Sequence, residues 1–161
     1  MAYLQREWIS EFSDGVIALS GGKVGDIGMA LLGGRAAQAE ELLQGWMQDF
    51  PGRFYLELQR TGRENDENHL HAAVALATEM NCPVVATNDV RFLKASEFEV
   101  HEARVCISEG RTLDDPRRER RYSDQQYLRS AEEMTELFSD IPEAITNTVE
   151  IAKRCTITIQ M

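Results

Sequence analysis

The sequence predicts an α/β fold built on a parallel sheet, and three observations carry that expectation. Three short apolar runs, Gly15–Ser20, Phe54–Leu58 and Pro83–Thr87, have the length of strands. Between them the apolar spacing changes to three and four residues, the period of a helix with one buried face. The resulting order, β-α-β-α-β, implies parallel strands joined by right-handed crossovers.

The first and third runs are almost continuous in apolar side chains, as expected of strands covered on both faces. The first intervening helix is read over Ala36–Phe50, with Ala39, Leu42, Leu43, Trp46, Met47 and Phe50 on one side and Pro51-Gly52 as its stop. The second begins at Asp66, taken as its N-cap, and carries Leu70, Ala73, Val74, Ala77 and Met80 up to Asn81. Beyond the third strand the chain turns helical. Ser96 with Glu99 has the spacing of a capping box before Phe98, Val100, Ala103, Val105 and Ile107, and Ser130 with Glu133 has the same spacing before Met134 and Leu137. Pro142 suits the first turn of a last helix faced by Ala144, Ile145, Thr148, Ile151 and Ala152. The tail Thr156–Ile159 has the composition of an edge strand, and Asp114–Tyr122 reads as a charged loop. Three strands do not close a barrel, and so small a sheet leaves both edges open, which points to a fragment.

The 161 residues, 43% of them hydrophobic, suffice for one domain that buries roughly 70% of its unfolded surface. Seventeen Lys and Arg face 27 Asp and Glu, and the net charge of −10 repels a polyphosphate backbone except at a local basic patch. Cys82, Cys106 and Cys155 form no C-x-x-C pair and are read as small buried hydrophobes in a reducing, cytosolic compartment. No signal-peptide core or membrane-length apolar run is present in the sequence.

In parallel α/β sheets, functional groups gather where strands end. Those positions are Ser20-Gly21-Gly22, Gln59-Arg60 and Asn88-Asp89-Val90-Arg91. A catalytic divalent ion needs about three protein ligands, and Asp89 alone among them qualifies, as a weak candidate. His69 and His71, two apart on a helix, point in different directions and cannot grip one ion. His101, beside Glu102, is read as a surface or hydrogen-bonded histidine. Gly21-Gly22-x-x-Gly25 and Gly33-Gly34 fit neither phosphate-loop fingerprint and are read as tight turns. Arg117, Arg118, Arg120 and Arg121 are the possible DNA contacts, against the plainer reading of a solvated charge run. No complete catalytic constellation emerges from these residues.

The segments GVIALSGGKVGDIG, RFYLELQRTGR, HLHAAVALATEMNCPVVATNDVRFL and EEMTELFSDIPEAITNTVEIAKRC, in this order and spacing, resemble the later part of the polymerase-and-histidinol-phosphatase (PHP) domain at the N-terminus of bacterial DNA polymerase III alpha subunits. The resemblance covers nearly the whole chain. It implies a partial TIM-like (β/α)7 barrel, with β/α units over 1–110 and a mainly helical extension toward the polymerase core over 111–161. It further implies that members with an intact metal site carry LSGC and GDxH where this chain has Gly22, Asp89 and Arg91. Glycine offers no ligand and a guanidinium repels a cation, so these are vestigial metal positions, with Asp89 and Arg91 expected to pair. The implied function is that of a scaffold within a DNA-directed DNA polymerase that uses magnesium elsewhere and receives a proofreading exonuclease subunit. The alternatives are an active metal-dependent phosphoesterase or 3′-5′ exonuclease and a stand-alone interaction module.

Overall fold

The computed structural model describes residues 4–157. Among them run α1 (Arg6–Glu11), β1 (Ala18–Leu19), α2 (Asp26–Leu32), α3 (Ala36–Asp49), β2 (Phe54–Gln59), α4 (Asp66–Met80), β3 (Val84–Thr87), α5 (Phe98–Glu109), α6 (Ala131–Leu137) and α7 (Pro142–Arg154). The strands form one parallel sheet in the order β1-β2-β3, with Leu19 opposite Tyr55, Leu56 opposite Val84 and Gln59 opposite Thr87. The α/β class and the parallel order therefore hold. The first strand is far shorter than Gly15–Ser20: Gly15 takes a left-handed φ of +71°, and only Ala18 and Leu19 pair regularly. Helices α1 and α2 have no counterpart in the sequence reading, because each is too short to display a helical period.

Alternation along β2 divides the sheet into two unlike faces. Phe54, Leu56 and Leu58 point into a core shared with Ile27, Leu43, Leu70, Ala73, Val84, Ala86, Phe138 and Ala144. Tyr55, Glu57 and Gln59 occupy the other face. Coverage on both faces holds for β3, whose Val84, Val85 and Ala86 are all buried, but not for β1, where Leu19 is 41% exposed. The free edge of β3 is covered by a helix. Asn147 Nδ2 of α7 donates to the carbonyl of Val84 at 2.8 Å and Thr148 Oγ1 donates to that of Ala86 at 3.4 Å, where a further strand's N–H groups would otherwise be needed. The C-terminal end of α7 returns to the sheet, with Arg154 Nη1 2.7 Å from the Tyr55 hydroxyl. Residues 158–159 of the expected edge strand lie outside the described residues, and Thr156 and Ile157 belong to no strand.

Local signals fare unevenly. The Ser130–Glu133 capping box is present in both directions, and Pro142 opens α7. Asp66 is not an N-cap but the first residue of α4. The cap position is Asn65, in the left-handed region, and the buried Asp66 carboxylate turns back to accept the N–H of Thr61 at 2.8 Å and that of Arg63 at 3.2 Å. The Ser96–Glu99 capping box is absent: Ser96 lies inside a one-turn 3-10 helix, and Glu97 accepts the N–H groups of Leu93 and Lys94 instead. Helix α5 inverts the expected polarity. It buries Glu102 and Cys106 while Val100 and Ile107 stand 63% and 80% exposed, because Glu102 pairs inward with Arg118. Cys155 is exposed, unlike the buried Cys82 and Cys106, since it lies just past the end of α7.

Two titrating groups are buried in the first turns of α4. Asp66 Oδ1 lies 2.7 Å from Lys23 Nζ, and its other oxygen accepts the Thr61 hydroxyl at 2.7 Å. Burial pushes this carboxyl up, but the bonds from Lys23 and Thr61 outweigh it and hold the group below the usual carboxylate range. His69, one turn on, is buried and pushed down by that burial, partly offset by Asp66.

Both groups bind fewer protons when folded, so both contribute stability that is lost on acidification. We expect the unfolding midpoint to fall first as the pH drops below about 6.5, where an unfolded histidine protonates, and again below about 3.8 as Asp66 gains its proton. The His69→Leu variant should lose the upper of these two steps and keep the lower, as read from thermal melts at a series of pH values. For the capped edge, Asn147→Ala should lower stability by about 0.5–1.5 kcal/mol. Light scattering should also register more self-association, because the β3 carbonyl edge is bared.

Candidate functional site

The ends of the three strands converge on one polar cluster. Chain direction through the first of them is set by glycine: Gly22 has φ +58°, and a Cβ built on Gly25 would come 1.8 Å from the Ser20 carbonyl oxygen, so the turn after β1 closes only without a side chain there. A Cβ on Gly22 would meet the Gln59 amide at 3.1 Å. Gln59 thus occupies the space into which a residue-22 side chain would project. Its Nε2 donates to Glu57 Oε1 at 3.0 Å and to Thr87 Oγ1 at 3.2 Å, and the Thr87 hydroxyl donates to the same Glu57 carboxylate.

Asp89, just past β3, adopts φ +42°, in the left-handed region that Asp tolerates better than most residues. Its carboxylate is held from three directions. Arg91 Nη2 lies 2.7 Å from Oδ1, while Arg63 Nη1 at 3.1 Å and the Gln126 amide at 2.9 Å engage Oδ2. Arg63 also donates from Nε to Thr61 Oγ1 at 2.7 Å and from Nη2 to Gln59 Oε1 at 3.2 Å. One guanidinium therefore links the end of β2 to the end of β3. The loop after α5 closes over this cluster: Asn88 Nδ2 donates to the carbonyls of Gln125 and Tyr127 at 2.9 and 2.7 Å, and the Arg91 N–H donates to that of Gln126 at 2.8 Å.

The structure thus brings Gly22, Asp89 and Arg91 to one place together with Gln59, which sequence reading placed at a strand end, and adds Arg63 and Gln126, which it missed. Arg63 carried a legible signal in its position four residues after a strand end. Gln126 carried none, because its partner is 37 residues away. Arg60 leaves the cluster, clasping Asp140 and Glu67, which hold its guanidinium more firmly protonated than usual, and lying 5.2 Å over the Phe138 ring. His69 is buried and His71 exposed on opposite sides of α4. His101 is half-buried: it packs edge-on against Tyr122 at 4.7 Å, and its Nδ1, 3.7 Å from Glu102 Oε1, has no hydrogen-bond partner among the described residues. Among the described residues, no three His, Cys, Asp or Glu side chains assemble as a metal centre.

The arginine run is largely engaged within the fold. Arg118 is 7% exposed and pairs with Glu102, Arg117 with Asp115 at 2.9 Å, and Arg121 with Glu109. A DNA contact through Arg118 would require breaking a buried ion pair, which removes it from the four arginines read as a phosphate-facing set. Arg120 is exposed.

A family model described as PHP domain matches residues 1–61, ending just after β2. The DNA polymerase III subunit alpha of Pseudomonas aeruginosa is 66% identical over 158 residues, which cover 98% of this chain and 14% of that protein. Its namesakes in Escherichia coli K12 and Vibrio cholerae are 56% and 51% identical, with the same coverage. The chain therefore spans about one-seventh of the length of these relatives. At that identity over 98% of its length, the chain belongs to the DNA polymerase III alpha subunit family and carries part of its PHP domain.

Proposed function

We propose that this segment is a scaffold within a replicative DNA polymerase, its strand-end cluster organised by guanidinium groups in place of a metal. The observation that carries this reading is Asp89 held between Arg63 and Arg91, with the Gln59 amide filling the space beside Gly22. A divalent ion does not fit these residues. The one carboxylate at the vestigial positions Gly22, Asp89 and Arg91 is already neutralised by two permanent cations, and Gly22 contributes no donor. No catalytic step is assigned here through a metal, and the phosphoesterase or 3′-5′ exonuclease reading loses the chemistry it requires.

On this reading the three-stranded sheet is part of a TIM-like (β/α)7 barrel. The β/α units run over 1–110, and the mainly helical 111–161 leads toward the polymerase core. The polar face of β2 and the partly exposed Leu19 are the surfaces a completed barrel would cover. The whole subunit is then a cytoplasmic DNA-directed DNA polymerase whose magnesium-binding carboxylates lie outside this segment. The proofreading exonuclease subunit, the remaining holoenzyme and DNA are its partners. Among the described residues no helix is long and apolar enough to cross a membrane.

Three measurements test the reading. With a primed template, deoxynucleotides and magnesium, the chain should extend no primer, and template-dependent extension would overturn the proposal. Added manganese, zinc or EDTA should leave the melting temperature and a phosphate-ester hydrolysis assay at the level of the metal-free buffer. Asp89→Asn should instead lower stability by about 1–3 kcal/mol, because two partly buried guanidiniums lose their shared acceptor. A phosphatase activity that appears with manganese and vanishes in Asp89→Asn would restore the enzymatic alternative.

A further inference from the structure

Beside the strand-end cluster a cleft of about 490 Å³ opens between the β2–α4 loop and the segment before α6, lined by Arg60, Arg63, Asn65, Gln125, Arg129 and Leu137 among others. Its three arginines differ in what they have left to give. Arg60 is saturated: Asp140, Glu67 and the Leu137 carbonyl take all of its N–H groups. Arg63 spends one donor on each of Thr61, Gln59 and Asp89 and keeps two of its five.

Arg129 is the exception. Its Nη1 donates to the Tyr127 hydroxyl at 2.9 Å and its Nη2 to Gln125 Oε1 at 2.5 Å, both neutral oxygens. Its Nε is buried and has no partner among the described residues. The guanidinium lies 4.6 Å from the Tyr127 ring centre, so its position is fixed before anything binds. A cation immobilised by neutral groups, with three N–H donors unclaimed, lacks the acceptor that such a group ordinarily finds. Glu133 shares the Tyr127 hydroxyl with Arg129 but makes no ion pair with it among the described residues, and the Glu67 carboxylate is fastened to Arg60.

We propose that this cleft is a docking site for an acidic, partly apolar peptide segment of a protein partner, with one carboxylate accepted by Arg129 and Arg63. The chemistry of the site selects that occupant. Free donors require an acceptor, the planar guanidinium fork matches a carboxylate, and Leu137 offers apolar contact beside it. Pre-fixed arginine is also the charged residue most often found at the energetic centre of protein interfaces. The site stands independently of whether the neighbouring cluster once held a metal.

The probe is a fluorescein-labelled, acetylated peptide of alternating Glu and Leu, titrated with the chain and followed by anisotropy, with a Gln/Leu peptide as the uncharged control. The chain's net charge of −10 disfavours any diffuse attraction to this ligand, so saturable binding reports a local site. We expect Arg129→Gln to weaken binding by roughly tenfold or more. Arg129→Lys should fall between that variant and the parent, and Arg120→Gln should bind as the parent does. The Arg129 Nε–H resonance of the unmodified chain should move on titration, a readout that decides the matter even if the glutamine variant unfolds. Undiminished binding by Arg129→Gln, equal binding of the Gln/Leu peptide, or an Arg129 resonance moved by inorganic phosphate and not by the Glu/Leu peptide would each overturn the proposal.

Discussion

The arrangement at the strand ends depends on one carboxylate. Asp89 leaves β3 in a left-handed conformation and places its oxygens between Arg63 and Arg91. With its side chain only 20% exposed, the group needs compensation for the water it has lost, and two guanidiniums supply it from opposite flanks. Arg63 is the more consequential of the two. By reaching Gln59 and Thr61 as well as Asp89, it ties β2 to β3 beyond the last backbone pair of the sheet, Gln59 with Thr87. A metal ion can connect several strand ends through coordination bonds that depend on ion concentration and ligand protonation. A guanidinium makes weaker, directional links but is part of the chain and stays charged at every physiological pH.

What could be read from the sequence follows from how far apart the interacting residues lie. Helices α3 and α4 were legible because their apolar residues recur locally at three and four, and strands β2 and β3 because each is a short apolar run. The Ser130–Glu133 cap was legible because both partners sit within one turn. Failures begin where a distant group overrides a local pattern. Ser96 and Glu99 have capping-box spacing, yet Glu97 reaches the free N–H groups of Leu93 and Lys94 and the box does not form. The apolar residues of α5 suggested an inward face, yet Arg118 draws Glu102 inside and leaves Val100 and Ile107 in solvent. At the site, the positions Gly22, Asp89 and Arg91 were legible through resemblance. Gln126 was not, and Gln59 and Arg63 were legible only as positions at or just after a strand end, because what identifies them is contact across 26 to 37 residues of chain rather than any motif of their own.

The arginine loop shows the same principle in electrostatic form. A run of four arginines in five positions looks basic in sequence, yet in a chain of net charge −10 each arginine has many carboxylates to choose from. Folding pairs Arg117, Arg118 and Arg121 with Asp115, Glu102 and Glu109, and the apparent patch becomes a set of intramolecular links that holds the loop against α5. Isolated pairs of this kind at an exposed surface add little stability, but Glu102 is buried and the Arg118 side chain is only 7% exposed, so separating them would strand two largely covered charges.

Edge protection differs between the two sides of the sheet. A parallel sheet of three strands presents unpaired backbone groups on both sides, and such edges recruit other strands. On the β3 side the polar side chains of α7 accept this task, with Asn147 and Thr148 donating to the outward carbonyls of Val84 and Ala86. Their placement works because the two are adjacent on the helix while the carbonyls are two residues apart on the strand, so each side chain reaches one acceptor on the same edge. The β1 side carries no equivalent among the described residues, and Val16 and Leu19 lie there partly exposed. One edge is thus closed by its own helix, and the other is left uncovered among the described residues.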